Sequence, residues 1–346
     1  MKRAYALILA IVVCALSFCS CGKYDKIAPS ADDLREVGTV NSYTVYYDEL
    51  RCSVMNAKTL MAQSYGIDWN DPADAEQYRE ELERRVFSGL KYNYAVQILF
   101  AETGYTIENE YIQRAVDQRM VEVIDECGGR WGYIQYLNEN FLTDRVLRFN
   151  VAIAYAVNEL IYSLCDSGAF DGYGIDFDIE SLTSSNPALY YPEDYQKAIA
   201  FLLQETVVLT AEHIYVPEDL SNSELKATNL FEKAKSGESF SEIAKGLDVD
   251  GIIHEKLTTV EGELTADYYN TVSALDHGSI TLLHLESGYY ILHRLELDVE
   301  HVMNYYFDLI YTYLSIKTNE NLTAYEANMK IELTEFGKSL DLTKIQ

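Results

Sequence analysis

Val207-Val208-Leu209-Thr210-Ala211-Glu212-His213-Ile214-Tyr215-Val216 is where this chain changes its period. Upstream, apolar residues recur every three or four positions, as on one face of a helix. Here β-branched and aromatic residues crowd a short run, as in a strand. Working outward, an amphipathic helix is expected over residues 223–235 and stopped by Gly237, followed by a short helical turn over 240–245. Residues 268–275 read as a further helix capped by Gly278, and Gly288-Tyr289-Tyr290-Ile291-Leu292-His293 as a closing strand. The block 207–297 is thus expected to be a small sheet flanked by helices.

The chain before this block is almost wholly helical in pattern. Residues 37–45 read as a short extended piece, and helical periodicity begins near Tyr47. Leu82, Val86, Leu90 and Tyr94 fall at four-residue spacing on one helix face. Asp71-Pro72 suits a helix start and Gly104 a stop. Thr106 is expected to cap the next helix, with Ile107, Tyr111, Ala115 and Met120 inward, and Cys127-Gly128-Gly129 to end it. A short helix over 131–138 and a long one over 143–164 follow. Residues 166–190 read as a loop, and Pro192 as the first turn of a helix reaching Gln204. After Asp298 an aromatic helix over 299–316, a polar gap and a further helix over 325–340 are expected. The fold class that follows is α+β.

The first residues speak to compartment. Lys2 and Arg3 precede an apolar run over 4–18, too short to span a bilayer but of the size of a signal-peptide core. Phe18-Cys19-Ser20-Cys21-Gly22 then resembles the lipobox of bacterial lipoproteins, which implies a leader over 1–20, acylation of Cys21 and a polar tether over 21–36. Plain secretion with cleavage nearby is the alternative. The formal net charge of -28 argues against nucleic acid as a partner, because phosphate contacts need Lys and Arg. Such acidity serves solubility or draws basic stretches of unfolded polypeptide. Cys52, Cys127 and Cys165 are far apart and lack a zinc spacing, and read as buried apolar residues. All six histidines lie between His213 and His301 with no paired-ligand motif, so neither a metal nor a cofactor is expected.

The strand, helix, helix, helix, strand order of residues 207–297 resembles a parvulin-type peptidyl-prolyl isomerase domain. The likeness is carried by Ala211-Glu212-His213-Ile214-Tyr215-Val216, by Gly237-Glu238-Ser239-Phe240-Ser241-Glu242-Ile243-Ala244, by residues 264–275, and by Ser287-Gly288-Tyr289-Tyr290-Ile291-Leu292. The helical first part, with Glu102-Thr103-Gly104-Tyr105-Thr106 opening a helix, looks like the N-terminal domain of the PrsA/SurA class of extracytoplasmic foldases. The resemblance implies a helical chaperone domain over 37–205 with 299–346 packing back onto it, and a parvulin-like domain over 206–298.

Rotation about an X-Pro amide crosses a barrier of ~18–20 kcal/mol set by resonance. No bond breaks, so a catalyst needs only an apolar seat for the ring and polar groups that favour the twisted amide. Carried over from the family, the first-strand histidine is His213, the Cys-or-Asp position is Asp250, and the hydroxyl before the last strand is Ser287. The proline seat falls on Leu264 and Tyr268, where the family has Met and Phe. The second family histidine falls on Tyr290, and His293 points to the opposite strand face. The family's glycine-rich loop is replaced by a shortened stretch over 251–263. The expected function is a lipid-anchored chaperone or foldase of unfolded or newly secreted polypeptides, with weak or absent isomerase activity. An active parvulin-type isomerase and an envelope scaffold or solute-binding lipoprotein are the alternatives. A homodimer stays open.

Overall fold

The computed structural model of the chain describes residues 26–166, 170, 181, 183–204, 206–245, 247 and 251–345. The leader, Cys21 and Asp250 lie outside the described residues. Two compact units divide the rest: the residues up to Leu160 together with those from Asn319 onward, and Ile161–Thr318. Among the described residues no helix is long and apolar enough to cross a membrane.

In the first unit, β1 (Glu36–Val40) and β2 (Tyr43–Tyr46) form an antiparallel hairpin that leads directly into α1 (Tyr47–Tyr65). The single extended piece of the sequence reading is therefore a hairpin, turned at Asn41, which has a φ of 53°. The strand Ile331–Leu333 pairs antiparallel with the other edge of β1, Gly38 opposite Leu333. A Cβ on Gly38 would stand 2.5 Å from the Glu332 carbonyl oxygen, so the close approach of these strands requires glycine.

Asp71 caps α2 (Pro72–Gln77) by accepting from the Ala73 N–H, and Pro72 takes the first helical position. The chain breaks at Tyr78 and resumes as α3 (Arg79–Glu102), where Leu82, Val86, Leu90 and Tyr94 are buried as their spacing predicts. The next helix departs from expectation. Asn109, not Thr106, is the N-cap of α4 (Glu110–Glu126), because the Asn109 side chain accepts from the Thr106 N–H and hydroxyl and closes a turn ahead of the helix. The inward stripe is accordingly Ile112, Val116, Met120 and Val123, and Tyr111 faces solvent. The short helix α5 (Arg130–Glu139) and α6 (Asp144–Asp166) follow, α6 with an apolar side that includes Val151, Ala152, Ala156 and Leu160.

In the second unit, α7 (Pro187–Tyr190) and α8 (Pro192–Leu202) precede a four-stranded antiparallel sheet. Its strands are β3 (Val208–Pro217), β4 (Ile253–Val260), β5 (Ile280–Leu285) and β6 (Gly288–Leu295), in the spatial order β4-β3-β6-β5. Alternation along β3 sends Ile214 and Val216 to one face, beneath α9 (Ser223–Lys235) and α10 (Phe240–Lys245). Leu209 and Ala211 go to the other face, beneath α11 (Ala266–Ser273). The stretch read as a shortened loop thus contains β4, whose residues 253–260 pair with the full run Val208 to Tyr215. Only Thr259 and Val260 at its end are buried and the six residues before them are exposed or half-buried, so backbone pairing rather than an apolar pattern makes it a strand.

The C-terminal helices also differ from the reading. α12 (Val299–Asn304) ends at Tyr305, and α13 (Tyr306–Glu326) then runs unbroken through the expected polar gap. Its buried stripe is Ile310, Leu314, Thr318 and Leu322, so a threonine continues the apolar face where the sequence looks polar. Of the cysteines, Cys52 is buried and free as expected, whereas Cys127 is half-exposed. The Cys165 side chain lies outside the described residues.

Candidate functional site

β3 is central to the sheet, and its odd-numbered residues carry the site. His213 faces α11 with 6 % of its surface exposed, opposite Leu292 on β6 and Glu255 on β4. Two residues on, Tyr215 is paired with Tyr290, which puts Tyr290 on the same face one step from His213. Thr265 caps α11 by accepting from the Tyr268 N–H and so sets the phase that lowers Tyr268 onto the sheet. The Tyr268 hydroxyl is hydrogen-bonded to Nδ1 of His213 at 3.0 Å.

The three rings close on one another. The His213–Tyr268, His213–Tyr290 and Tyr268–Tyr290 centroids lie 5.7, 5.6 and 5.6 Å apart, each pair edge to face. Edge-to-face packing is the arrangement aromatic quadrupoles prefer, so the cluster is attractive in itself. Burial pushes the Tyr268 phenol well above its ordinary pKa, helped by Tyr290 and Glu255, and Tyr268 stays a neutral hydroxyl. Leu264 packs against this cluster together with Leu283.

Ser287 stands at the exposed rim, in the turn between β5 and β6, with its Oγ 3.4 Å from the Tyr290 hydroxyl. The turn is held by the Tyr215 hydroxyl, which donates to the Ser287 carbonyl. It is also held by Gly288, at a φ of 140°, where a Cβ would sit 2.2 Å from the Val216 carbonyl oxygen. The structure therefore gathers His213, Tyr268, Tyr290, Leu264 and Ser287 on one face of the sheet. Tyr215 belongs with them and was missed. Its ring lies 4.8 Å from that of Tyr290, and its place two residues from His213 along a strand was the available signal.

His293 lies on the other face, stacked on Phe240 with centroids 5.3 Å apart. There the Glu212 carboxylate lies between two imidazoles: Oε1 is 2.8 Å from His254 Nε2 and Oε2 is 3.4 Å from His293 Nδ1. Among the described residues no group of three or more ligand-type side chains is placed to hold a metal ion.

No family model and no curated protein matches the chain. Solved structures do. The chain is similar to PrsA foldases. The foldase protein PrsA of Streptococcus pneumoniae is 15% identical, with 88% of this chain and 97% of that one covered and a TM-score of 0.31. The peptidylprolyl isomerase PrsA of Bacillus anthracis is 17% identical over 70% of this chain and 98% of its own, with a TM-score of 0.37. One of two SurA-like chaperones of Campylobacter jejuni is 10% identical, over 87% and 99%, with a TM-score of 0.28. Which side chains meet on the α11 face, and what they do there, follows from this chain's own geometry.

Proposed function

We propose that the chain is a membrane-anchored, extracytoplasmic chaperone or foldase for secreted proteins, in which the domain of residues 206–298 has weak or absent prolyl cis-trans isomerase activity. Residues 1–20 are the leader, Cys21 the lipidated residue and 21–36 the tether. The helical domain over 37–205, with 299–346 against it, holds unfolded or newly secreted polypeptide. His213, Ser287 and Asp250 occupy the catalytic positions, and Leu264, Tyr268 and Tyr290 the substrate-binding ones.

The observation that supports the reduced activity is the Tyr268–His213 hydrogen bond. A proline ring needs an apolar seat, and here a phenol carrying a hydroxyl fills that place and engages the histidine. The second histidine position holds Tyr290, whose ring completes the packing. The polar groups that would act on a twisted amide are turned to internal structure, so the ring cluster is a stable wall more than a receptive hollow.

Two assays on the full chain test this reading. Suppression of aggregation of a chemically denatured client should be strong at equimolar amounts, and a protease-coupled proline-peptide assay should give turnover close to the uncatalysed rate. Turnover at parvulin levels that falls on His213→Ala and Ser287→Ala would show an active isomerase instead. Absence of any effect on aggregation would leave a scaffold.

A further inference from the structure

A cavity of about 600 Å³ opens among α1, α3 and α6 in the helical unit, within the size range of ligand sites. Each of the three helices contributes one asparagine to its wall: Asn56, Asn93 and Asn150. Asn56 and Asn150 both turn their Nδ2 toward the Cys52 thiol, at 3.6 and 3.9 Å. Sulfur is a weak acceptor, so little of the amides' bonding capacity is used there. The Oδ1 atoms of these two residues, and the whole Asn93 amide, make no hydrogen bond among the described residues. The remaining wall includes the apolar side chains of Ala57, Val146, Phe149 and Ile153. Leu60, 54% exposed, lies at the opening.

Each charged side chain lining this cavity already has an ionic partner. Glu49 accepts from the Tyr94 hydroxyl at 2.6 Å and is 2.7 Å from Arg145. Arg84 and Arg85 are both ion-paired with Glu81. A phosphate or a free carboxylate would need an uncommitted cation, and a cationic ligand an uncommitted anion. An amide is at once donor and acceptor, and three amides set on three walls complement a chain in which every residue brings an N–H and a C=O.

We infer that this cavity binds a short extended segment of polypeptide through its backbone amides, with small or medium apolar side chains against the Phe149 and Ile153 wall. This rests on the client-binding part of the function proposed above and is independent of the isomerase positions. It gives the helical unit a defined seat for peptide that reads main chain rather than sequence.

The test uses the full chain and a fluorescein-labelled, end-capped, proline-free peptide of Ala, Leu and Ser, so that the sheet domain does not contribute. Affinity is read by fluorescence anisotropy. Asn93→Leu and Asn150→Leu should each raise Kd roughly 3- to 10-fold, the worth of one or two neutral hydrogen bonds. Ala57→Phe, which occupies the space, should abolish binding. Should these variants fail to fold by thermal unfolding, the unaltered protein decides: saturating peptide should move the side-chain amide NMR signals of Asn56, Asn93 and Asn150. Peptide that binds without moving them overturns the cavity assignment and leaves the chaperone reading standing. Peptide that does not bind at all overturns the cavity assignment, and the aggregation assay above then decides the chaperone reading on its own.

Discussion

The Tyr268 hydroxyl and the His213 imidazole are joined across the sheet face at 3.0 Å, with only 4% and 6% of the two residues exposed. A hydrogen bond so far from water is strong for its kind and costly to leave unmade. It therefore holds the imidazole in one orientation, and the atoms that could polarise a substrate serve the fold.

That relationship makes activity recoverable. Tyr268→Phe removes the phenol hydroxyl from Nδ1 of His213, and Tyr290→His places a second imidazole one step from it on the same face. The double variant should raise kcat/KM for a proline peptide roughly 10- to 100-fold over the unaltered chain, the order of a single well-placed polar group. Tyr268→Phe alone should lower stability by about 1 kcal/mol in urea denaturation. A double variant no more active than the parent would mean that the ring packing is not what limits turnover.

Asp144 predicts a pH dependence of the helical unit. It is 3% exposed and accepts from the Tyr133 hydroxyl at 2.8 Å, and burial raises its carboxyl to about 6 against Arg148 and the Ile27 N–H, which lower it. A carboxyl with a raised folded pKa binds its proton more tightly when folded. Its contribution is thus most favourable below the unfolded value near 4 and is lost as pH rises through about 6. The stability difference between the unaltered chain and Asp144→Asn should change by up to about 3 kcal/mol across that window and stay flat above it. Parallel stability curves at all pH values would refute the assignment.

Lys58 fastens the C-terminus. Its buried ammonium donates to the carbonyls of Thr343 and Ile345 at 2.8 and 2.7 Å and lies 5.6 Å from the Trp69 ring centre. Lys58→Met should cost about 2–4 kcal/mol, since two charge-assisted bonds go and two carbonyls lose their donor. The same change should alter Trp69 fluorescence. Trp131, at 85% exposure, provides the constant background.

Gly38 predicts a local failure. An added Cβ meets the Glu332 carbonyl oxygen at 2.5 Å, so Gly38→Ala must push the strand Ile331–Leu333 off β1. A loss of about 1–3 kcal/mol is expected. Amide exchange should quicken over residues 331–345 and remain unchanged over 208–217. Equal protection in both strands would show that the backbone absorbs the methyl group.

Several parts of this architecture were legible in the residues. Leu82, Val86, Leu90 and Tyr94 lie inward because four-residue spacing on a helix admits no other reading. Tyr290 and His293 could be placed on opposite faces because strand side chains alternate with a period of two, while only the family resemblance put His213 with Tyr290. β4 was not legible, since Ile253, Lys256 and their neighbours are half-exposed and their pairing with β3 is made by backbone groups common to every residue. The α4 register was lost to a side chain, Asn109, that bonds backward onto Thr106.

By itself the sequence determined the helical and strand periods, the main helices and the first and last strands of the sheet, and which residue types stand at the positions around His213. Only the tertiary structure decided that the Tyr268 hydroxyl reaches the imidazole, that Tyr215 joins the cluster, and that three asparagines from three helices share one cavity. Periodicity is a local property carried by neighbours along the chain. A hydrogen bond between residues 55 positions apart depends on where two elements come to rest, which packing alone sets.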